Sequence, residues 1–170
     1  MSFPKIIPII ASLVIIIDQI TKLAVTRLLE LHESIQIVPD LFNICLVHNY
    51  GAAWGMLSGQ RLLLVLLPIV VCVVMWLSRK EIVKGSLLEK LFVGLFLGGL
   101  FGNLIDRVVQ GYVIDFLDFY WKTSHFPAFN VADSAICVSV FLYLISILVS
   151  TKKDKQESND KASTEGSDNA

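Results

Sequence analysis

Charge is what this sequence lacks most. Asp, Glu, Lys and Arg make up only 17% of its 170 residues and leave a net charge of -1. An average soluble domain carries ~25% charged residues, so there is too little charge to cover an ordinary wetted surface. The near-zero balance also gives no support for a nucleic-acid partner. Cysteine is nearly absent too: Cys45, Cys72 and Cys137 show no CxxC or metal-ligand spacing, and an odd count closes no disulfide framework. Two of them lie in apolar runs and read as small hydrophobes. Cys45, in "FNICLVHN", reads as a buried strand residue before it reads as a nucleophile. No HExxH occurs, and His32, His48 and His125 have no paired spacing, which argues against a zinc hydrolase. "GMLSG" at 55–59 is not GxSxG, which argues against a serine hydrolase.

What is abundant is apolar sequence: 55% of residues are hydrophobic and mean hydropathy is +0.69. Four runs qualify as membrane spans, at about residues 4–24, 62–78, 87–105 and 131–151. The expected fold class is an all-α membrane protein with four transmembrane helices in one domain, residues 1–151, followed by a polar tail at 152–170. That tail has no large apolar residues and is expected to be disordered in the cytoplasm. The uncharged cores are short. Residues 91–105 number 15, about 22 Å of helix at 1.5 Å per residue. Crossing ~30 Å of hydrocarbon takes ~20 residues, so flanking polar groups are drawn toward the interface. The first run has no small-residue cleavage site and continues into "DQITKLAV", so it is expected to be retained.

Basic residues orient the chain. Lys5, Arg79, Lys80, Lys84, Lys90, Lys152, Lys153, Lys155 and Lys161 fall on one side, and Lys22, Arg27, Arg61, Arg107 and Lys122 on the other. The denser side is cytoplasmic by the positive-inside rule, which places both termini there. The loop at 25–61 is then outside. Its "IQIVPDLFNICLVHN" alternates apolar residues around Pro39-Asp40 and predicts a small β-element. The aromatic-rich stretch 111–129 predicts an interfacial segment at headgroup depth.

This orientation gathers the unusual polar residues at one membrane face: Asp18, Asn49, Asn103, Asp106, Arg107, Asn130 and Asp133. Asn103, Asp106 and Arg107 share a helix face by their spacing. Asp106 alone is equally well read as a boundary charge that snorkels to the headgroups. Asp133 opens the fourth span, where a first-turn acid stabilises a helix, yet with Asp115 it is the better candidate for a catalytic acid. Asp115, between Ile114 and Phe116, is in a setting that raises a carboxyl pKa and favours a general acid. Asp118 is its rival, read as a solvated loop acid. Two close carboxylates share a proton, so one can activate water while the other protonates the scissile amide, with neither metal nor cofactor. The alternative is an ion-coupled transporter using intramembrane acids. Such sites lie near the midplane between internal repeats, whereas these acids gather at one face and no repeat is visible.

"DQITK" at 18–22, "HNYGAAWG" at 48–55, "GNLIDR" at 102–107, "VIDF" at 113–116 and "FNVADS" at 129–134 together resemble the bacterial lipoprotein signal peptidases, signal peptidase II. The resemblance runs from about residue 10 to residue 150, with Trp54 standing where phenylalanine is commoner. It implies a metal-independent aspartic endopeptidase of the inner membrane, active at the extracytoplasmic face. The implied substrates are diacylglyceryl-modified prolipoproteins, cut before the lipidated cysteine. By motif match Asp115 and Asp133 are the catalytic pair. Asp18, Lys22, Asn49, Gly51, Asn103, Asp106, Arg107 and Asn130 shape the site or hold substrate. Membrane lipids and globomycin-type inhibitors are implied partners.

The orientation has a direct test. In a background lacking the native cysteines, Thr123→Cys is expected to react with an impermeant thiol reagent on intact cells and Ser86→Cys is not. The reverse pattern would invert the topology.

Overall fold

A computed structural model describes residues 4–84 and 86–148. The expected disordered tail, and the last residues of the fourth run, lie outside the described residues. The first helix, α1, covers Ile6–Leu28. Two strands follow, β1 (Ser34–Val38) and β2 (Phe42–Asn49), then a single helical turn at Ala53–Gly55. Helix α2 (Arg61–Leu77) leads into the short α3 (Arg79–Lys84) and then α4 (Leu87–Val109). Strands β3 (Val113–Trp121) and β4 (Ser124–His125) precede the last long helix, α5 (Val131–Leu148). Helices α1, α4 and α5 are long and apolar enough to cross a membrane, whereas α2 has 17 residues and is shorter.

The buried positions of α1 are Ile7, Ala11, Val14, Asp18, Lys22 and Val25, a single stripe at helical spacing. That stripe turns from apolar to charged toward the C-terminal end of the helix, and it lies against α4. Helix α4 meets it with glycine. A side-chain carbon at Gly94 would sit 2.8 Å from Ile10 Cβ, and one at Gly98 would sit 2.6 Å from Val14 Cβ. Gly99 and Gly102 open the neighbouring face to α5, where Ala132 and Ile136 approach. Small residues at such seams let helix backbones come close where the lipid supplies no hydrophobic drive for association. Helix α4 begins with a capping box, Ser86 Oγ accepting from Glu89 N–H while the Glu89 carboxylate accepts from Ser86 N–H. It ends where Arg61, at the first turn of α2, donates to the carbonyls of Arg107 and Val108 at 3.2 and 3.1 Å.

The β-element is larger than expected. Four strands form one antiparallel sheet in the order β1-β2-β3-β4. The stretch 111–129, expected as an interfacial segment, supplies β3 and β4, so the fold is mostly helical with a small sheet and not all-α. In β3, "VIDFLDFYW" alternates faces: Ile114 and Phe116 pack with Val25, Leu29 and Leu46 above the end of α1. Val113 and Asp115 point the other way. The β2–β3 register pairs Val47 with Asp115 and Asn49 with Val113, with a bulge between Ile44 and Val47. Asn49 is therefore a diagonal same-face neighbour of Asp115. Phe129 bonds the other edge of β3, with its carbonyl accepting from Phe116 N–H at 3.0 Å and Leu117 N–H at 2.8 Å. That places Asn130, and the start of α5, beside Asp115.

The glycine seam yields a stability prediction. A methyl group at Gly102 would lie 2.7 Å from Asp18 Oδ2 and 3.0 Å from Ala132 Cβ, so a helix must shift. Gly102→Ala is expected to destabilise by about 1–3 kcal/mol, read by thermal unfolding in detergent. Parental stability would contradict so close an approach.

Candidate active site

Three chain segments converge below the sheet: the C-terminal ends of α1 and α4, and the first turn of α5. Their polar side chains are almost wholly removed from solvent, with Asp18 and Asn130 at 0%, Asp106 at 1%, and Lys22 and Asp115 at 2% relative exposure. Burying a charge is costly unless it is paired and its hydrogen bonds are made. Here every buried side-chain nitrogen and oxygen among the described residues has a partner.

Lys22 is the hub. Its Nζ lies 2.8 Å from Asp18 Oδ2, 2.7 Å from Asp106 Oδ2 and 3.1 Å from Asn103 Oδ1. An ammonium has three hydrogens and these are its three acceptors. Asp106 is thus a buried ion-pair partner and not a snorkelling boundary charge. Because an ammonium can only donate, it also fixes which way the Asn103 amide points. Asn103 Nδ2 then donates to Asp133 Oδ1 at 2.7 Å. Asp18 reaches across to α5, its Oδ1 accepting from Ala132 N–H at 2.9 Å, and so satisfies an amide of that helix's open N-terminus.

Asn130 joins the two candidate acids. Its Nδ2 donates to Asp115 Oδ1 at 2.7 Å, to Asn103 Oδ1 at 3.1 Å and to the Ile114 carbonyl at 3.2 Å. Its Oδ1 accepts from Asp133 N–H at 2.9 Å, while Asp133 Oδ2 accepts from Asn130 N–H at 3.2 Å. That reciprocal pair is a capping box with aspartate in the glutamate position. Asp133 therefore has both features that its sequence position suggested, the capping geometry and the place beside Asp115. Asp115 Oδ2 accepts from Asn49 Nδ2 at 2.9 Å. Burial pushes the Asp115 carboxyl up to about 7, and the nearby Asp133 carboxylate adds to the rise. The Asn49 and Asn130 amides and the Lys22 charge oppose it.

Arg107 is outside the Lys22 ion pairs, but its charge lies near those of Asp133, Asp115 and Asp106. Its Nη2 donates to the Gly51 carbonyl at 3.0 Å, while Gly51 N–H donates to Asn49 Oδ1 at 2.9 Å. The cation that pairs with the buried acids is Lys22. The loop is tight at Gly51, where a Cβ would lie 2.6 Å from the Met56 carbonyl, so no larger residue fits without movement. Trp54, with a left-handed φ of 56°, meets the Phe126 ring edge-on at 5.9 Å.

The structure corrects one reading and adds residues that the motifs did not mark. Asp118 is not a solvated loop acid. It is buried in β3, accepting from Asn43 Nδ2 at 2.9 Å and facing His125 Nδ1 at 2.9 Å. Cys45 is buried in β2, and burial pushes its thiol up to about 11, as suits an inert core residue. Gln19 bonds Asp106 and Asp18, and His48 stacks on Tyr112 with ring centroids 3.8 Å apart. Gln19 lies within "DQITK", between Asp18 and Lys22, and as a neutral residue it carries no chemical mark of its own.

Along most of its length the chain is similar to known proteins. The family model of signal peptidase II matches residues 10–149. A lipoprotein signal peptidase of Shewanella halifaxensis is 47% identical over 150 residues, covering 85% of this chain and 86% of the relative. One from Geobacter metallireducens is 41% identical over 159 residues, covering 92% and 96%. A solved bacterial membrane enzyme, determined by the in meso method at 2.3 Å resolution, superposes with a TM-score of 0.77 at 33% identity, covering 85% of this chain and 88% of that one. With its motifs in order along 140 residues of matched sequence and its fold shared with a solved membrane enzyme, the chain belongs to the signal peptidase II family.

Proposed function

We propose that this protein is a metal-independent aspartic endopeptidase of the bacterial inner membrane. It removes signal peptides from diacylglyceryl-modified prolipoproteins and cuts before the lipidated cysteine. Four helices, including the shorter α2, cross the bilayer, both termini are cytoplasmic, and the site opens on the extracytoplasmic face. The observation that carries this reading is the pairing of buried Asp115 with half-buried Asp133, bridged by Asn130. Membership of the family and the relatives' names as lipoprotein signal peptidases support the substrate class.

In this reading the pair shares one proton. Asp115, pushed up to about 7 by burial beside Asp133, keeps it and serves as general acid. Asp133, left as the carboxylate of the pair and held by Asn103 Nδ2 and Asn130 N–H, takes the proton of the attacking water. Asp115 protonates the scissile carbonyl oxygen; as the C–N bond breaks, Asp133 passes the proton it took from water to the leaving amine and Asp115 recovers its own from the intermediate's hydroxyl. Asn49, Asn103 and Asn130 hold the two carboxyls in place, Asp18, Lys22 and Asp106 support them from behind, and Gly51 shapes the loop above. Arg107, always charged, presents fixed donors at the loop where it now holds the Gly51 carbonyl, and a substrate carbonyl can be held there in the same way. Globomycin-type inhibitors would occupy this site. A lipid-anchored scissile bond sits at the membrane interface, which is the depth at which these acids are kept.

Cleavage of a lipidated prolipoprotein by the purified protein, with chelator present, tests the reading. Asp115→Asn and Asp133→Asn are each expected to lose turnover by at least about 10³-fold while remaining folded and inserted. Asp118→Asn is expected to retain most activity. Near-parental turnover in either of the first two variants would remove that acid from the pair.

A further inference from the structure

The Lys22 cluster has one open side, a cavity of about 530 Å³ lined by residues that include Gln19, Lys22, Asp106 and Ile114. The half-buried Gln19 closes that side. Its Nε2 donates to Asp106 Oδ1 at 3.0 Å, and lies 3.3 Å from both Asp18 Oδ2 and the Gly102 carbonyl. An amide nitrogen has two hydrogens, so the shortest of these contacts, to Asp106, is the best made.

Asp106 leads directly to the acid pair. Its Oδ2 accepts from Lys22 Nζ at 2.7 Å and from Ile114 N–H at 3.2 Å. The carbonyl of the same residue, Ile114, accepts from Asn130 Nδ2 at 3.2 Å. Both polar groups of the Ile114 backbone are therefore clamped, one by α4 and one by the start of α5, and the next residue is Asp115. With Gln19 in place, both oxygens of Asp106 are engaged and its carboxylate plane is set. Without that donor, Oδ1 has no partner among the described residues and the carboxylate is free to turn it toward water in the cavity. Such a turn takes Oδ2 away from Ile114 N–H. A cation at position 19 would add charge beside Lys22, and an apolar residue would leave Oδ1 unpaired, so a neutral donor suits the place.

We propose that Gln19 is a positioning residue for the peptidase reaction, locking Asp106 so that it holds the Ile114 backbone and thereby sets where Asp115 stands. The proposal rests on the reading of Asp115 and Asp133 as the reacting pair. Gln19 itself touches neither acid of the pair, so its loss acts on the chemical step and not on substrate capture.

The test uses the full-length protein and a lipidated prolipoprotein, with Gln19→Met to delete the donor at similar volume and Gln19→Glu to make it depend on pH. Gln19→Met is expected to lower kcat by about tenfold or more, with KM within about twofold of the parent's. In Gln19→Glu, a neutral carboxyl again donates one hydrogen, so its kcat relative to the parent's is expected to rise several-fold between about pH 8 and about pH 5. The Gln19→Met ratio is expected to stay flat over that range. Parental kcat in Gln19→Met, a loss carried by KM, or a flat Gln19→Glu ratio would each overturn the proposal. Where Gln19→Met does not fold, the Gln19→Glu ratio alone decides. A parent protein that cleaves nothing would instead overturn the peptidase reading.

Discussion

A lysine ammonium with its three hydrogens donated inside a membrane protein is the constraint on which the rest of this structure depends. Lys22 is placed between Asp18 and Asp106, with Asn103 as its third acceptor. Removing one partner of a buried ion pair typically costs ~3–5 kcal/mol, because the remaining charge is left unsolvated. The arrangement is therefore tightly held: α1 supplies Lys22 and Asp18, α4 supplies Asp106 and Asn103, and α5 is tied in through Asp18 and Ala132. One cation thus sets the relative placement of three helices at the depth where the candidate acids lie. The glycine seam of α4 works to the same end, since Gly102 lets Asp18 and Ala132 approach together.

The sheet completes what the helices begin. Asp115 is held on a strand, and a strand is useful here because its two faces do different work. Ile114 and Phe116 anchor it in the apolar cluster with Val25, Leu29 and Leu46, while Asp115 faces the acid partner. Its neighbours come from far along the chain: Asn49 from β2 and Asn130 from the start of α5. Asparagine suits both positions, being a neutral donor that restrains a carboxyl without adding the full charge of a lysine or arginine. Burial is left as the largest influence on Asp115.

Much of this was legible in the sequence, and the exceptions have physical causes. The apolar runs of α1, α4 and α5 declare themselves by length and composition, and the β1–β2 hairpin by alternation around Pro39-Asp40. Strand β3 was hidden because Asp115 and Asp118 interrupt its alternation and the aromatics around them also fit an interfacial segment. Asp118 looked solvated because its partners, Asn43 and His125, come from two other strands, β2 and β4. Lys22 counted as one more outer-side positive charge, yet its exposure is 2%. The i,i+4 spacing of Asp18 and Lys22 was visible, but Asp106 as the second partner lies on a different helix. Likewise Arg107 follows Asp106 in sequence, and its hydrogen bond is to the Gly51 carbonyl, far earlier in the chain. Residue types and local periods can be read from a sequence alone. Which side chain meets which across helices depends on packing that only the fold supplies.

The central claim is that a proton held between Asp115 and Asp133 performs the chemistry. The pH dependence of kcat/KM for cleavage of a lipidated prolipoprotein, measured on the purified protein in bilayers, tests it most directly. Because Asp115 is pushed up to about 7, the pair is expected to lose its proton through the neutral range. The account predicts a rate that declines with an apparent pKa near 7 on the alkaline side. A rate that stays flat or rises from about pH 6 to about pH 9 would contradict it, since the acid form of the pair would then not be required.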